Sequence, residues 1–419
     1  MAVLGIIAEF NPFHNGHKYL IEQAMMQVPT AGVVCVMSGP FTQRGEPALC
    51  NKWARAEMAL HGGADLIIEL PFCFATRSAY FFARGALQTL SKTGVVTHVA
   101  FGSEHGAIGP LDAVAEVLAT EPQAFKTSLK EFLSLGLSFP QARARALQSI
   151  LHHRVENLEE LLQGPNNILA IEYLRIIREE RLSLIPLTIP RYQSHYHGIG
   201  LHPYASAGAI RQAMNGTLPL EASAAMPTTS SSILEREIAM GRAPVKHTYM
   251  EQALLLKLRC MPVKELAQLY EINEGLEHRI KTVARAATDL ETLRQNIKSK
   301  RYSLTRINRI LLYSLFSLSK NQVCLYDGMG PLYLHILGFS ARGQKILQEL
   351  RNKCSLPQLN RGSDVRASLF PEDNPIARML LLDVLASDIY ALFYPNPKAR
   401  GGGADFVYPP VRLGDTPSP

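Results

Sequence analysis

The sequence predicts an α/β chain: a doubly wound parallel sheet followed by a mainly α-helical domain. Three observations predict it. Runs of β-branched residues alternate with helical patterns through the first 105 residues; those runs are almost continuously apolar, as in strands buried on both faces; and helical spacing dominates from residue 251 onward. At 419 residues, with 47% hydrophobic and 19% charged, the chain has material for a sizeable core and for two domains. This composition excludes wholesale disorder.

Strands are expected over residues 3–8, 32–37, 65–69 and 97–101, with helices between them over residues 16–26, 52–61 and 78–89. Residues 111–181 turn mostly helical, residues 184–189 offer one more strand before Pro190, and a helix opening at Ser206 closes the first domain, residues 1–226. A Ser/Thr-rich, helix-poor stretch over residues 227–232 reads as a linker or the start of a second domain, residues 227–395, with helices over 251–269, 275–293, 303–318 and 341–353. Residues 396–419 hold three consecutive glycines and five prolines, and are expected to be extended or mobile.

Six cysteines lie far apart and never as C-x-x-C, which fits neither a disulfide scaffold nor a zinc ribbon, so reduced thiols and a cytoplasmic location are expected. The opening MAVLGIIAEF reads as a strand, because Glu9 interrupts it long before the ~20 apolar residues of a membrane span. Residues 379–394 carry Asp383 and Asp388 and read as an amphipathic helix. No membrane role and no obligate protein partner are indicated.

The net charge of +7 is concentrated. Residues 279–309 hold nine basic residues against two acids, a surplus that equals the whole net charge. Lys298, Lys300, Arg301, Arg306 and Arg309 stand near Tyr302. Cations interleaved with an aromatic suit phosphate contact and base stacking, the footprint of an RNA, although a solvated helix face has a similar pattern.

The chemistry-bearing feature is Glu9-Phe10-Asn11-Pro12-Phe13-His14-Asn15-Gly16-His17, between a strand and a helix. A helix start at the carboxyl end of a parallel strand is an anion site through free N–H groups and the dipole. Gly16 permits a close backbone approach by a ligand. Two histidines three apart share one face of the first turn, where they can donate to phosphate oxygens as charge develops. G-x-x-x-x-G-K-[ST], a complete G-x-G-x-x-G and H-E-x-x-H are all missing, which leaves P-loop, nicotinamide and zinc-protease chemistry without support.

The H-x-G-H element resembles the nucleotidyltransferase and class I synthetase superfamily. The segments GIIAEFNPFHNGH, MSGPFTQRGEPALCNKWARAEMAL, GADLIIELPF, VAFGSEHG, PNNILAIEYL, ASAGAIR and YSLTRINRILL together resemble the bacterial tRNA(Met) cytidine acetate ligase family. That resemblance implies a Rossmann-like, nucleotidyltransferase-type fold. It also implies an enzyme that adenylates acetate with ATP, releases pyrophosphate, and passes the acetyl group to N4 of the wobble cytidine of elongator tRNA(Met). Carried over by position, His14 and His17 would be catalytic. The ATP site would comprise Ile7, Ala8, Glu9, Phe10, Asn11, Pro12, Phe13, His14, Asn15, Gly16, His17, Lys18, Tyr19 and Leu20, with Gly102, Asn166, Asn167 and Arg191. Mg²⁺ is expected on the phosphates, and no protein metal ligands stand out in the sequence. Gly208 and Pro40 depart from the family pattern, each removing a hydrogen-bond donor.

The residues also carry plainer readings. Asn166 or Asn167 follows Gly-Pro and suits a helix cap; Gly102 suits a turn; Arg44 and Glu46 suit either an anion site with Lys52 and Arg55 or a local ion pair. His152, His153, His195 and His197 show no ligand spacing. Two other functions share the His motif: a small-molecule adenylyltransferase, which needs no basic helical domain, and an RNA-binding protein with a regulatory nucleotide site.

Overall fold

A computed structural model describes residues 2–192 and 201–414; His195 and His197 lie outside the described residues. Its sheet has eight strands: β1 (Ala2–Ala8), β2 (Thr30–Ser38), β3 (Leu66–Leu70), β4 (His98–Ser103), β5 (Ile185–Pro190), β6 (Leu334–Phe339), β7 (Gln358–Leu359) and β8 (Val411–Arg412). The spatial order is β5-β4-β1-β2-β3-β6-β7, with β8 also on β6. β1 to β5 are mutually parallel, and β6 runs antiparallel to β3. The expected doubly wound α/β fold is therefore present, followed by helices.

Alternation along each strand makes two cores. Val3, Val34, Val36, Leu66 and Ile68 pack into one; Leu4, Ile6, Val33, Cys35, Met37 and Ile67 pack into the other. Successive side chains leave a strand on opposite faces, so near-continuous apolar runs require helices on both sides.

The chain winds from β1 to β2 to β3 in one direction and then returns to place β4 on the other side of β1. This reversal puts the topological switch point between β1 and β4, where open α/β sheets bind ligands beyond the strands' carboxyl ends. The H-x-G-H motif leaves β1 at that point, and Gly102 lies near the end of β4.

Three expectations are corrected. Residues 227–232 are no linker: they open the helix Thr228–Ala239, which packs on the helix Lys52–His61, and Asn51 Nδ2 donates to Glu237 at 2.7 Å. The later helical region returns to the sheet as β6 and β7; residues 334–339 are a short apolar run that spacing alone does not separate from a helix. The described part of the tail is ordered. It forms the helix Ala404–Val407 and β8, with Asp405 buried and Tyr408 stacked on Trp53 at 4.8 Å between centroids. Two of its glycines serve close packing: Gly403, at φ +83°, donates to Asp388 at 2.6 Å, and a Cβ on Gly402 would meet that carboxylate at 3.0 Å.

Two expected helices are also divided. Residues 251–269 become His247–Cys260 and Val263–Gln268 around Pro262, and residues 275–293 become Leu276–Ala286 and Leu290–Ile297. Asp289 caps the last of these by accepting from Thr292 N–H at 2.7 Å. No helix among the described residues is long and apolar enough to cross a membrane.

Candidate active site at the sheet's switch point

The motif loop leaves β1 through Phe10 in the left-handed region (φ 46°) and a cis Asn11–Pro12 bond. Phe10 and Phe13 are core side chains, so only their backbone is available to a ligand. Asn11 Oδ1 accepts from Leu49 N–H at 2.7 Å, and Asn11 O accepts from Arg211 Nη1 at 2.7 Å.

His14 caps the helix Asn15–Gln27. Its Nδ1 accepts from Gly16 N–H at 3.0 Å, while His17 Nδ1 accepts from His14 N–H at 3.2 Å. Both rings are thereby assigned the neutral tautomer with the proton on Nε2, leaving two Nε2–H donors. Burial, then Arg191 and Arg211, hold His14 down to about 3; burial, then His14 and Arg191, hold His17 well below its ordinary value. At neutral pH the pair donates without carrying charge.

The helix start differs from expectation. Asn15 N–H donates to Ala225 O at 3.0 Å and Gly16 N–H to His14, so these first-turn donors are satisfied by protein. What the motif still presents to an anion is the two Nε2–H groups, the helix dipole and nearby arginines. Gly16 is needed by the protein's own packing: a Cβ there would meet His14 Cε1 at 2.8 Å.

Arg191 N–H donates to Ser103 O at 3.1 Å, and its Cγ would lie 3.6 Å from a Cβ on Gly102. The ends of β4 and β5 thus bring Gly102 and Arg191 together beside the histidines. Asn166 and Asn167 begin the helix Pro165–Glu179, but neither caps it. Glu104 does: its carboxylate accepts from Asn166 N–H (3.2 Å) and Asn167 N–H (2.8 Å), while Asn166 Nδ2 also donates to it at 2.5 Å. Asn167 accepts from His105 N–H and donates to Leu161 O, both at 3.1 Å. The Asn pair is positioned by Glu104, an acid two residues after Gly102.

Arg55 is fully buried and donates to the carbonyls of Glu9 (2.7 Å), Ser38 (3.1 Å), Cys50 (3.2 Å) and Gly39. It clamps the ends of β1 and β2. The Lys52 ammonium is buried between Glu69 (2.7 Å) and Asp405 (2.6 Å), which leaves it no free charge for an anion. Glu69, Asp405 and His335 have metal-ligand spacing, but the Lys52 ammonium already occupies the two carboxylates. Arg44 is exposed, and Glu46 is held by Asn308 Nδ2 at 3.3 Å rather than by Arg44.

Residues 1–405 match the model of the HIGH Nucleotidyl Transferase family. The tRNA(Met) cytidine acetate ligase of Syntrophomonas wolfei is 56% identical over 98% of this chain and 99% of its own length, and that of Acetivibrio thermocellus is 40% identical over 97% and 99%. This chain belongs to the tRNA(Met) cytidine acetate ligase family. The crystal structure of Thermotoga maritima TmcAL bound with alpha-thio ATP is similar to it, with a TM-score of 0.91 and 38% identity over 99% of this chain and 100% of that one.

Lys298, Lys300 and Arg301 are exposed, Arg301 pairing with Glu274. Arg306 lies over the Tyr302 ring at 4.6 Å, and Tyr302 is buried with its hydroxyl on Asn273 O at 3.1 Å. Arg309 is buried and faces Glu271 at 3.6 Å. Other basic residues of the segment are internal ties: Arg279 donates to Asn296 O, and Lys281 to three carbonyls at the end of the helix His247–Cys260.

Arg211 is not among the expected site residues by number, although it ends a segment that carries the resemblance, ASAGAIR. Its contact with Asn11 O spans 200 residues, which no local pattern reveals.

Proposed function

We propose that this chain activates acetate with ATP and transfers the acetyl group to N4 of the wobble cytidine of elongator tRNA(Met). The observation that carries the reading is the stacked pair of neutral imidazoles at the switch point, flanked by Arg191 and Arg211, in a member of the acetate ligase family. A carboxylate oxygen of acetate attacks the α-phosphorus and pyrophosphate leaves. Cytidine N4 then attacks the acetyl carbonyl, AMP leaves with the C–O electron pair, and the amine gives up one proton to the departing phosphate or to water. The Nε2–H groups of His14 and His17 stabilise charge growing on the phosphoryl oxygens, and the arginines fix the phosphates.

ATP would lie along residues 7–20, with Gly102 opening space beside Arg191 and with the Asn166–Asn167 turn bordering the nucleotide. The cluster Glu69–His335–Asp405 does not fit a metal because Lys52 fills it, so Mg²⁺ would arrive on the triphosphate. Residues 1–226 would carry the ATP chemistry, and Lys298, Lys300 and Arg301 the contact with tRNA phosphates, in the cytoplasm.

The test is nucleoside mass spectrometry of purified elongator tRNA(Met) after incubation with enzyme, ATP and acetate. N4-acetylcytidine in the anticodon loop is the expected product. Its absence, with folded enzyme that consumes ATP only when acetate is present, would overturn the reading.

A further inference from the structure

A cavity of about 420 Å³ lies between the loop that follows β2 and the helical region. Gly45, Glu46 and Pro47 form one wall; the helices His247–Cys260, Leu290–Ile297 and Leu304–Phe316 form the other. Its size suits a small ligand or an unstacked nucleoside. Met250, Leu254 and Leu311 give it a buried apolar floor.

Its position connects the two halves of the proposed reaction. On one side, Glu46 and His247 are within electrostatic reach of Arg211, which holds the motif through Asn11 O. On the other, Arg294 in the cavity wall belongs to the basic segment and donates to Asn308 Oδ1 at 3.3 Å.

The polar lining favours a base over a phosphate. Glu46, Glu251, Asp289 and Glu291 outnumber Arg294, so an anion is disfavoured. Three of the acids are already engaged: Glu251 accepts from Leu290 N–H at 2.7 Å, Asp289 caps its helix, and Glu291 pairs with Arg294 at 2.8 Å. Glu46 has its Oε1 against Asn308 Nδ2. Its loop is pressed onto the helix Leu304–Phe316, since a Cβ on Gly45 would meet Arg309 N and the Asn308 carbonyl carbon at 2.7 Å. A held carboxylate is the acceptor that an exocyclic amine such as cytosine N4–H₂ requires, and a guanidinium supplies donors for ring acceptors.

We propose that this cavity receives the target cytosine, with Glu46 accepting a hydrogen bond from the N4 amine and Arg294 and Asn308 facing its acceptor edge. The inference rests on the acetate ligase reading. A splayed loop base enters between the catalytic edge and the basic segment, and its apolar faces meet Met250, Leu254 and Leu311. A base carrying a carbonyl in place of the amine would set an acceptor against Glu46 and be refused.

The experiment uses full-length enzyme and elongator tRNA(Met) carrying 5-bromocytidine at the wobble position, irradiated and mapped by peptide mass spectrometry. Crosslinks to residues 45–47, 247–254 or 308–311 are expected. Crosslinks confined to the tyrosine cluster beside the motif, exposed Tyr192 with half-buried Tyr19 and Tyr204, would overturn the proposal. In parallel, Glu46→Ala and the cavity-filling Leu254→Trp should lower kcat/KM for tRNA acetylation roughly 10- to 100-fold, the size of a lost charged hydrogen bond, while acetate-dependent pyrophosphate exchange persists. Full acetylation by both folded variants would refute it. Wild-type enzyme that forms no N4-acetylcytidine would instead refute the function itself.

Discussion

The imidazoles of His14 and His17 lie face to face, 3.8 Å between centroids and 27° between planes, each Nδ1 accepting a backbone N–H. The stack and the two bonds fix both Nε2–H vectors before any ligand arrives, which is how a preorganised donor lowers a barrier without reorganising. Replacing either histidine by Ala should lower kcat for acetate-dependent adenylate formation by roughly 10²-fold or more, with a smaller change in KM for ATP. Steady-state pyrophosphate release measures this. Near-normal kcat in both variants would make the pair a helix cap only.

The same pair sets a pH dependence. His14 is held at about 3 in the folded chain, below its ordinary 6.5. Between these values the unfolded chain takes up a proton that the folded one refuses, so the stability gained from a neutral His14 is complete above about 6.5 and declines as pH falls toward about 3. Urea titrations from pH 4 to 8 should show stability falling on the acid side, with a shallower fall in His14→Asn. The rate of adenylate formation should show no limb from His14 between pH 5 and 8.

Gly16→Ala should preserve the fold and damage the chemistry. Its Cβ would lie 2.8 Å from His14 Cε1 and 3.0 Å from Nδ1, so the ring must swing and release its bond to the backbone. A misplaced catalytic group costs on the order of 10²-fold. Unchanged circular dichroism with a lower kcat is the expected result; unchanged kcat would show that the ring position is unimportant.

Much of this site was legible before any coordinates. The apolar strands and the His-x-Gly-His spacing are local signals, and they give β1 to β5 and put the histidine pair at the helix start after β1. What escaped depends on distant partners. Residues 334–339 become a strand because β3 offers an edge, and Gly402 and Gly403 order because Asp388 receives them. The local pattern puts Arg309 among surface cations, whereas the fold sets it against Glu271, 38 residues earlier in the chain. Helix-cap assignments to Asn166 and Asn167 missed Glu104 for the same reason: the cap comes from another loop.

The clamp on Lys52 should be a stability element independent of ATP. Burial alone would raise Glu69 and lower Lys52, but Lys52 and His335 hold Glu69 at about 2, and Asp405 and Glu69 raise Lys52. Lys52→Met strands two buried carboxylates and should cost about 3–5 kcal/mol in urea unfolding. Glu69's contribution is complete above its ordinary 4.5 and is lost as pH falls toward about 2. A Lys52→Met chain as stable as wild type would mean that the carboxylates have found other partners.

The basic segment should divide by exposure. Lys298, Lys300 and Arg301 reach solvent, whereas Arg309 is buried against Glu271. Each phosphate contact releases condensed counterions, about 0.7 per charge on single-stranded RNA, so replacing the three exposed residues by Ala should flatten the slope of log affinity against log salt by about 2. Arg309→Ala should leave that slope nearly unchanged and lower the melting temperature instead, because it leaves Glu271 partly buried without that partner. Filter binding of tRNA(Met) from about 50 to 200 mM salt, with thermal melts of the same proteins, separates the two effects. An equal loss of slope in both variants would place Arg309 on the RNA despite its burial, and no loss in the triple variant would move the tRNA surface elsewhere on the chain.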